Sequence, residues 1–230
     1  SYKDAEETFF SRWLHGAFLH QMSLIHDQKD VLFDLSAPIV SYMQTANWAA
    51  VGPGLLQPPI FIKDGPDAFN YGSLGQLVMS VLMRGYDEIG SQIDDKGYER
   101  TWWTNATRKA YAKTLNCLRN SHGWETAWND TMPPDMFAEV ASLSVAYKAF
   151  QKLPGARRRT VLPGRYFSPD QTFFLAHCSK LCGISDSATS GGRPERIKCI
   201  VPLMHEAQFA KAFDCPAGST MNPEKRCFIW

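Results

Sequence analysis

The chain has 230 residues, of which 44% are hydrophobic and 20% charged, and its formal net charge is +1. That length fits one large domain or two small ones, and the composition is that of an ordinary globular protein. The near-even charge gives no electrostatic reason to expect nucleic acid or an anionic membrane surface, and no apolar run is long enough to span a bilayer.

The opening "SYKDAEETFF" has no charged-then-apolar leader pattern, so it is no signal peptide, and a mature, processed or truncated chain is expected. Residues 5 to about 33 predict a helix with Phe9, Trp13, Leu14, Phe18 and Met22 on one face. Residues 39 to 50 are apolar and aromatic, compatible with strand. The stretch "VGPGLLQPPIF" is loop or extended chain, because Pro58-Pro59 and two glycines break helix. Residues 74 to 87 predict a helix whose inward stripe is Leu74, Leu77, Val78, Val81 and Leu82. Residues 101 to 120 predict another, anchored by Trp102, Trp103 and Tyr111. Asp135, after Pro133-Pro134, is placed to cap a helix that runs through Phe150 with Phe137, Val140, Leu143 and Tyr147 inward. The basic run Arg157-Arg158-Arg159 reads as an exposed turn or protease-sensitive loop. Helices are expected over 169 to 182 and 205 to 213, with a flexible loop, "SDSATSGGRPE", between them.

The six cysteines are Cys117, Cys178, Cys182, Cys199, Cys215 and Cys227. The spacing of Cys178 and Cys182 can occur in zinc sites, but no second pair of matching spacing follows it. Two N-x-[ST] acceptors occur, at Asn105 and Asn129. Cysteines and acceptors together tilt the compartment towards the secretory pathway. The histidines (His15, His20, His26, His122, His177, His205) form no i, i+4 pair and read as structural or surface residues.

Several stretches in shared order resemble the neprilysin and endothelin-converting-enzyme family of zinc endopeptidases. They are "GLLQPPIF", "NYGSLGQLV" followed by "GYDEIG", "TWWT", "LNC", "AYKAFQ", "QTFFLAHCSKLCG" and the closing "AFDCPAGSTMNPEKRCFIW". The resemblance covers residues 38 to 230, with 1 to 37 as a helical lead-in. It implies an α+β, mainly helical fold: the C-terminal portion of one neprilysin-like, thermolysin-related peptidase domain whose N-terminal half is absent from this chain.

The resemblance also implies where the chemistry would be. The family's H-E-x-x-H puts two zinc ligands on one helical face, with a glutamate to activate the bound water. The matching residues are Ser80, Val81 and Arg84. Serine is a poor zinc ligand, valine cannot accept a proton, and arginine brings a permanent positive charge. The third ligand and the acid behind a ligand histidine match Asp135 and Glu139, so the two acids are interchanged. Substrate-handling positions also differ: Val40, Ser41 and Tyr42 match the substrate-binding strand, Gly191 or Gly192 the transition-state histidine, and Lys198 the substrate arginine. A lysine lacks the bidentate fork of arginine.

Several expectations follow. Zinc is lost, and an ion pair from Arg84 to Glu139 or Asp135 fills the old pocket. Asp135 alone more readily serves a helix start than a metal. A new catalytic site at Ser80 has little support, since no His or Lys lies near it in sequence to activate it. The protein acts as a catalytically inactive extracellular binding or scaffold component, with a peptide or protein ligand. The alternative is a metalloendopeptidase subunit whose activity comes from a homologous chain or an unrecognised site. By resemblance, Cys117 pairs with Cys227, and Cys182 and Cys215 bond to the missing N-terminal segment. Cys178 and Cys199, without family counterparts, are expected to pair with each other. Glycans are expected at Asn105 and Asn129, and the protein is secreted or the ectodomain of a type II membrane protein. The expected partner is the N-terminal fragment of the same precursor, or a homologous subunit, held by disulfides.

Overall fold

The computed structural model describes residues 10–16, 19, 39–121, 134–160, 166–182, 195–227 and 229. Within them the chain is mainly helical, with one β-hairpin. The lead-in helix expected over 5 to 33 is described at 10–16 and 19, which are helical. Asn129, His20, His26, His122, Gly191 and Gly192 lie outside the described residues, as does most of the loop expected after Cys182.

The apolar stretch after Ile39 forms the antiparallel hairpin β1 (Val40–Met43) and β2 (Trp48–Val51), with Tyr42 opposite Ala49 and Met43 opposite Trp48. Its turn closes through Asn47 at φ 47°, a left-handed conformation that asparagine tolerates better than most residues.

The helix expected over 74 to 87 begins earlier and changes pitch. It runs as α1 (Asp67–Asn70), a π turn (Tyr71–Gly75), α2 (Gln76–Leu82) and a 3₁₀ turn (Met83–Tyr86). Its buried face also differs from the expected stripe. Ser73, Gln76, Ser80 and Met83 are buried, joined by Val81, while Leu74, Leu77, Val78 and Leu82 are half-buried. Counting apolar residues at 3.6 per turn cannot find a buried face that carries polar side chains such as Gln76, whose partners lie far away in the sequence.

Thr104 caps α3 (Asn105–Asn120), its hydroxyl accepting from the Thr107 amide at 3.1 Å. The long helix α4 (Pro134–Gln151) is the spine of the molecule. Its N-terminal half packs Met136, Phe137 and Val140 with Tyr111, Leu118 and Val201. Its C-terminal half packs Leu143, Tyr147 and Phe150 with Phe173, Phe174 and Leu203. Phe137, Val140, Leu143 and Tyr147 are all buried, as their spacing predicts. Asp135 stands inside the first turn of α4 rather than at its cap, where its charge complements the positive end of the helix dipole.

The arginine run belongs to α5 (Gly155–Arg158), and Arg157 grips Asp67 through two bonds of 2.8 and 2.7 Å, pinning α5 to α1. α6 (Pro169–Ser179) opens on a capping box in which Ser168 and Gln171 satisfy each other's backbone amides. The helix expected over 205 to 213 is α8 (Ala207–Ala212), and it is preceded by a helix the sequence did not predict, α7 (Glu195–His205). Disulfides join Cys117 to Cys227 and Cys178 to Cys199, as expected from the sequence, while Cys182 and Cys215 are free thiols. Among the described residues, no helix is long and apolar enough to cross a membrane.

Candidate functional site

The positions that match the zinc helix fall where α2 packs along α4. Ser80 is buried, and its hydroxyl donates to the carbonyl of Leu77 at 2.8 Å, one turn back in its own helix. Val81 is buried hydrocarbon. Arg84 sits on the 3₁₀ turn and is exposed. Its charge acts on Asp87, whose carboxyl burial nevertheless pushes up; Asp87 is held by the amides of Ile89 and Gly90 at 2.9 and 2.8 Å.

Glu139 reaches towards a different partner from the one expected. Its Oε2 accepts from Gln76 Nε2 at 2.9 Å, so the expected Arg84–Glu139 pair is replaced by a contact from Gln76 at the start of α2, about two turns before Arg84. Gln76 is fully buried and uses its whole amide. Its Nε2 also donates to Ser142 Oγ at 2.8 Å, and that hydroxyl passes its own proton to the carbonyl of Glu139 at 2.9 Å. Its Oε1 accepts from Lys180 Nζ. A carboxylate on one side and a lysine on the other fix which way the amide must point.

Lys180 extends the network to α6. Its Nζ also faces His177 Nδ1 at 3.2 Å and the carbonyl of Gly72 at 3.5 Å, so three acceptors surround its three donors. Burial lowers its pKa to about 7, opposed by the charge of Glu139. His177 is fully buried, and its Nε2 lies 3.2 Å from the carbonyl of Cys199. A carbonyl can only accept, so Nε2 carries the proton and Nδ1 is left bare to accept from Lys180. Burial, with Lys180 beside it, holds His177 neutral, its pKa well below the usual range. Burial also raises the pKa of Glu139, against the pull of Gln76, Lys180 and Lys198.

The structure therefore brings Ser80, Val81 and Glu139 to one interface, with Asp135 and Lys198 near enough to act on Glu139 through their charges. Lys198 itself is paired with Glu195 at 3.1 Å on α7. Val40, Ser41 and Tyr42 are half-buried on β1, which runs beside α2. Asn105 is exposed at the first turn of α3. Sequence reasoning missed Gln76, Ser142, His177 and Lys180. The one available signal was a glutamine inside the apolar run "GQLVM", four residues before Ser80 and so on the same helical face.

A catalytic zinc requires about three protein ligands and a base for its water. The matched positions do not fit it: a hydroxyl committed to its own helix, a hydrocarbon and an exposed guanidinium. Among the described residues, no group of three or more His, Cys, Asp or Glu is placed to hold a metal ion.

The fold is that of solved zinc metalloproteases. It superposes on a Mycobacterium tuberculosis zinc metalloprotease, ZMP1, solved with an inhibitor, with a TM-score of 0.76 at 20% identity, covering 96% of this chain and 37% of that one. It superposes equally on a chain of a Haemonchus galactose-containing glycoprotein complex, with a TM-score of 0.74 at 21% identity, covering 99% of this chain and 39% of that one. The sequence carries the assignment further: residues 40–229 match the model of Peptidase family M13, and the chain belongs to that family. Among relatives, Neprilysin-1 of Caenorhabditis elegans is 29% identical over 217 residues, 86% of this chain and 29% of that protein. Human endothelin-converting enzyme-like 1 is 28% identical over 244 residues, 98% of this chain and 32% of that protein. The chain thus spans about three tenths of the length of the curated relatives it matches.

Proposed function

We propose that this chain is part of a neprilysin-like protein without peptidase activity, which serves outside the cell as a binding or scaffold component. One observation carries the reading. At the α2–α4 interface, the acid that matches a metal-supporting residue, Glu139, is bound to Gln76, while Ser80, Val81 and Arg84 offer neither a ligand set nor a base. The test is metal analysis of the full-length protein, with hydrolysis of a small neuropeptide-like substrate measured with and without a zinc-binding phosphonate. Less than about a tenth of an equivalent of zinc and no inhibitor-sensitive cleavage are expected, following from the need for three protein ligands. Stoichiometric zinc with cleavage abolished by the phosphonate would falsify the reading.

Two features support a partner polypeptide. Leu74 on the π turn and Val78 on α2, with Phe61 and Tyr71, line an open cavity of about 830 Å³. Apolar surface of that kind normally meets another surface. Cys182 is an exposed free thiol and Cys215 a half-buried one, both available to bond to the segment that precedes this chain in a precursor. An assembly with homologous chains is the second reading, favoured by the fold shared with a protein described as a glycoprotein complex. In that case an active chain could supply peptidase chemistry that this one lacks. Exposed Asn105 suits a glycan, and two disulfides suit the secretory pathway. Under non-reducing electrophoresis, a band that falls in mass after reduction would support the covalent partner; a species of unchanged mass would argue against it.

A further inference from the structure

A second cavity, of about 340 Å³, lies between the β-hairpin, the 3₁₀ turn after α2 and the loop 93–102. Tyr42, Tyr86 and Trp102 line it together with Asn47, Asp94 and Asp95. From this set we infer a binding site for an organic cation, the guanidinium or ammonium group of a basic side chain or of a small free molecule. This assignment adds a ligand chemistry to the binding role proposed above, but it stands on residues outside the α2–α4 interface.

The chemistry of the lining carries the inference. Tyr86 and Trp102 meet edge to face at 5.9 Å with an interplanar angle of 80°, so they form two walls of a corner. Aromatic faces attract cations through the ring quadrupole, and attract them more strongly when the cation is desolvated. The two aspartates supply net negative charge. Both bonds that the Asp94 carboxylate accepts among the described residues, from the amides of Lys96 and Tyr98 at 3.0 Å, fall on Oδ1, which leaves Oδ2 uncommitted. Among the described residues, no Lys, Arg or His nitrogen lies within 4.0 Å of either carboxylate. Three aromatic residues beside two aspartates that form no ion pair among the described residues favour a positively charged group over an anion.

The walls are fixed rather than incidental. Trp102 Nε1 donates to the carbonyl of Gly90 at 3.0 Å, and Tyr42 donates to Asn47 Oδ1 at 3.0 Å. Asn47 Nδ2 in turn reaches the carbonyl of Asp95 at 3.4 Å, joining the hairpin to the acidic loop. The acidic loop abuts the hairpin turn so closely that a Cβ at Gly97, whose φ is +81°, would sit 1.7 Å from the carbonyl of Thr45. Gly85 similarly admits the ring of Tyr42, since a Cβ there would be 3.0 Å from the phenol oxygen. Preorganisation of this kind reduces the ordering cost of binding.

The experiment is calorimetric titration of the full-length protein with N-acetylarginine methylamide, its neutral citrulline isostere, and choline. The arginine compound or choline is expected to bind at least about tenfold more tightly than the citrulline compound. Preference for arginine assigns the ligand to a side chain, and preference for choline assigns it to a free ammonium compound. The Asp94→Asn/Asp95→Asn double variant and, separately, Tyr86→Leu should each weaken cation binding by about tenfold. Equal binding of arginine and citrulline, absence of binding by all three, or unchanged affinity in a double variant with a native circular dichroism spectrum would overturn the site. Zinc content and peptide cleavage on the same preparation keep the two proposals apart: zinc-dependent cleavage would remove the pseudopeptidase reading and leave cation binding to be judged on its own titration.

Discussion

The two faces of α2 differ in a way opposite to an ordinary amphipathic helix. The face towards α4 carries Gln76 and Ser80, both buried and both hydrogen-bonded. The opposite face carries Val78, continued by Leu74 on the preceding π turn, both half-buried beside an open cavity. An unpaired buried polar group costs about 1–3 kcal/mol, so the inner face depends on its hydrogen bonds. Gln76 and Ser80 both have partners, whereas the buried Ser73 hydroxyl on the preceding π turn has none among the described residues. The comparison teaches that α2 is held to α4 by directional bonds and leaves apolar surface on its other side.

The sharpest way to break this comparison is at Gln76. Gln76→Leu removes a donor from Glu139 and Ser142 and the acceptor facing Lys180, and leaves buried charge without compensation. A loss of about 3–5 kcal/mol in urea unfolding is expected; a loss below about 1 kcal/mol would mean that the network is open to water. The outer face comes next. Leu74→Asp in the full-length protein should cost about 2–3 kcal/mol if that face is covered, and no more than about 0.5 kcal/mol if it is open. The larger value is expected.

The third effect is a slope rather than a step. Lys180 has a lowered pKa, about 7 against 10.5, so between those values the unfolded chain binds the extra proton. Stability from this group therefore rises as pH increases from about 7 to about 10. Glu139 has the opposite sign. Its folded pKa is raised from 4.5, so its contribution falls as pH rises through the window just above that value. In Lys180→Met the rise above pH 7 should disappear, which a comparison of unfolding midpoints at pH 7 and pH 9 will show. The smallest effect is at Ser80. Its hydroxyl bonds only within its own helix among the described residues, so Ser80→Ala should change stability by less than about 0.5 kcal/mol, measured by thermal unfolding.

Much of this was legible in the sequence, for identifiable reasons. Phe137, Val140, Leu143 and Tyr147 were readable because α4 keeps a regular helical spacing and buries hydrocarbon at each step. Cys117–Cys227 was readable through the resemblance, and Cys178–Cys199 through the two cysteines that the resemblance left over. The family frame around Ser80, Val81 and Arg84 was readable as well. The replacement contact was not. Glu139 is 63 residues from Gln76, and Lys180 is 104 from it. No local pattern links an acid, an amide and a lysine on three separate helices. The expected Arg84–Glu139 pair gave way for a related reason: charge complementarity in sequence says nothing about reach, and Arg84 lies past the end of α2 on an exposed turn. The helix start near Asp135 was misplaced because caps depend on backbone geometry, and α7 was not read at all, since Pro202 inside it breaks the helical pattern in sequence.

The Cys117–Cys227 disulfide turns the chain between those residues into a covalent ring with a sequence separation of 110. A single proteolytic cut anywhere inside it, including one at the arginine run of 157 to 159, opens the ring but frees no fragment. Two cuts are needed before any piece can leave, and a cut between Cys178 and Cys199 is bridged a second time. α4, α6 and α7 all lie inside this ring, whereas α2 lies outside it. Neither of these disulfides spans the helix that carries Ser80 and Gln76, so one cut between α2 and Cys117 would leave it held across the site by packing and hydrogen bonds, while the ring-bearing part still migrated as one species.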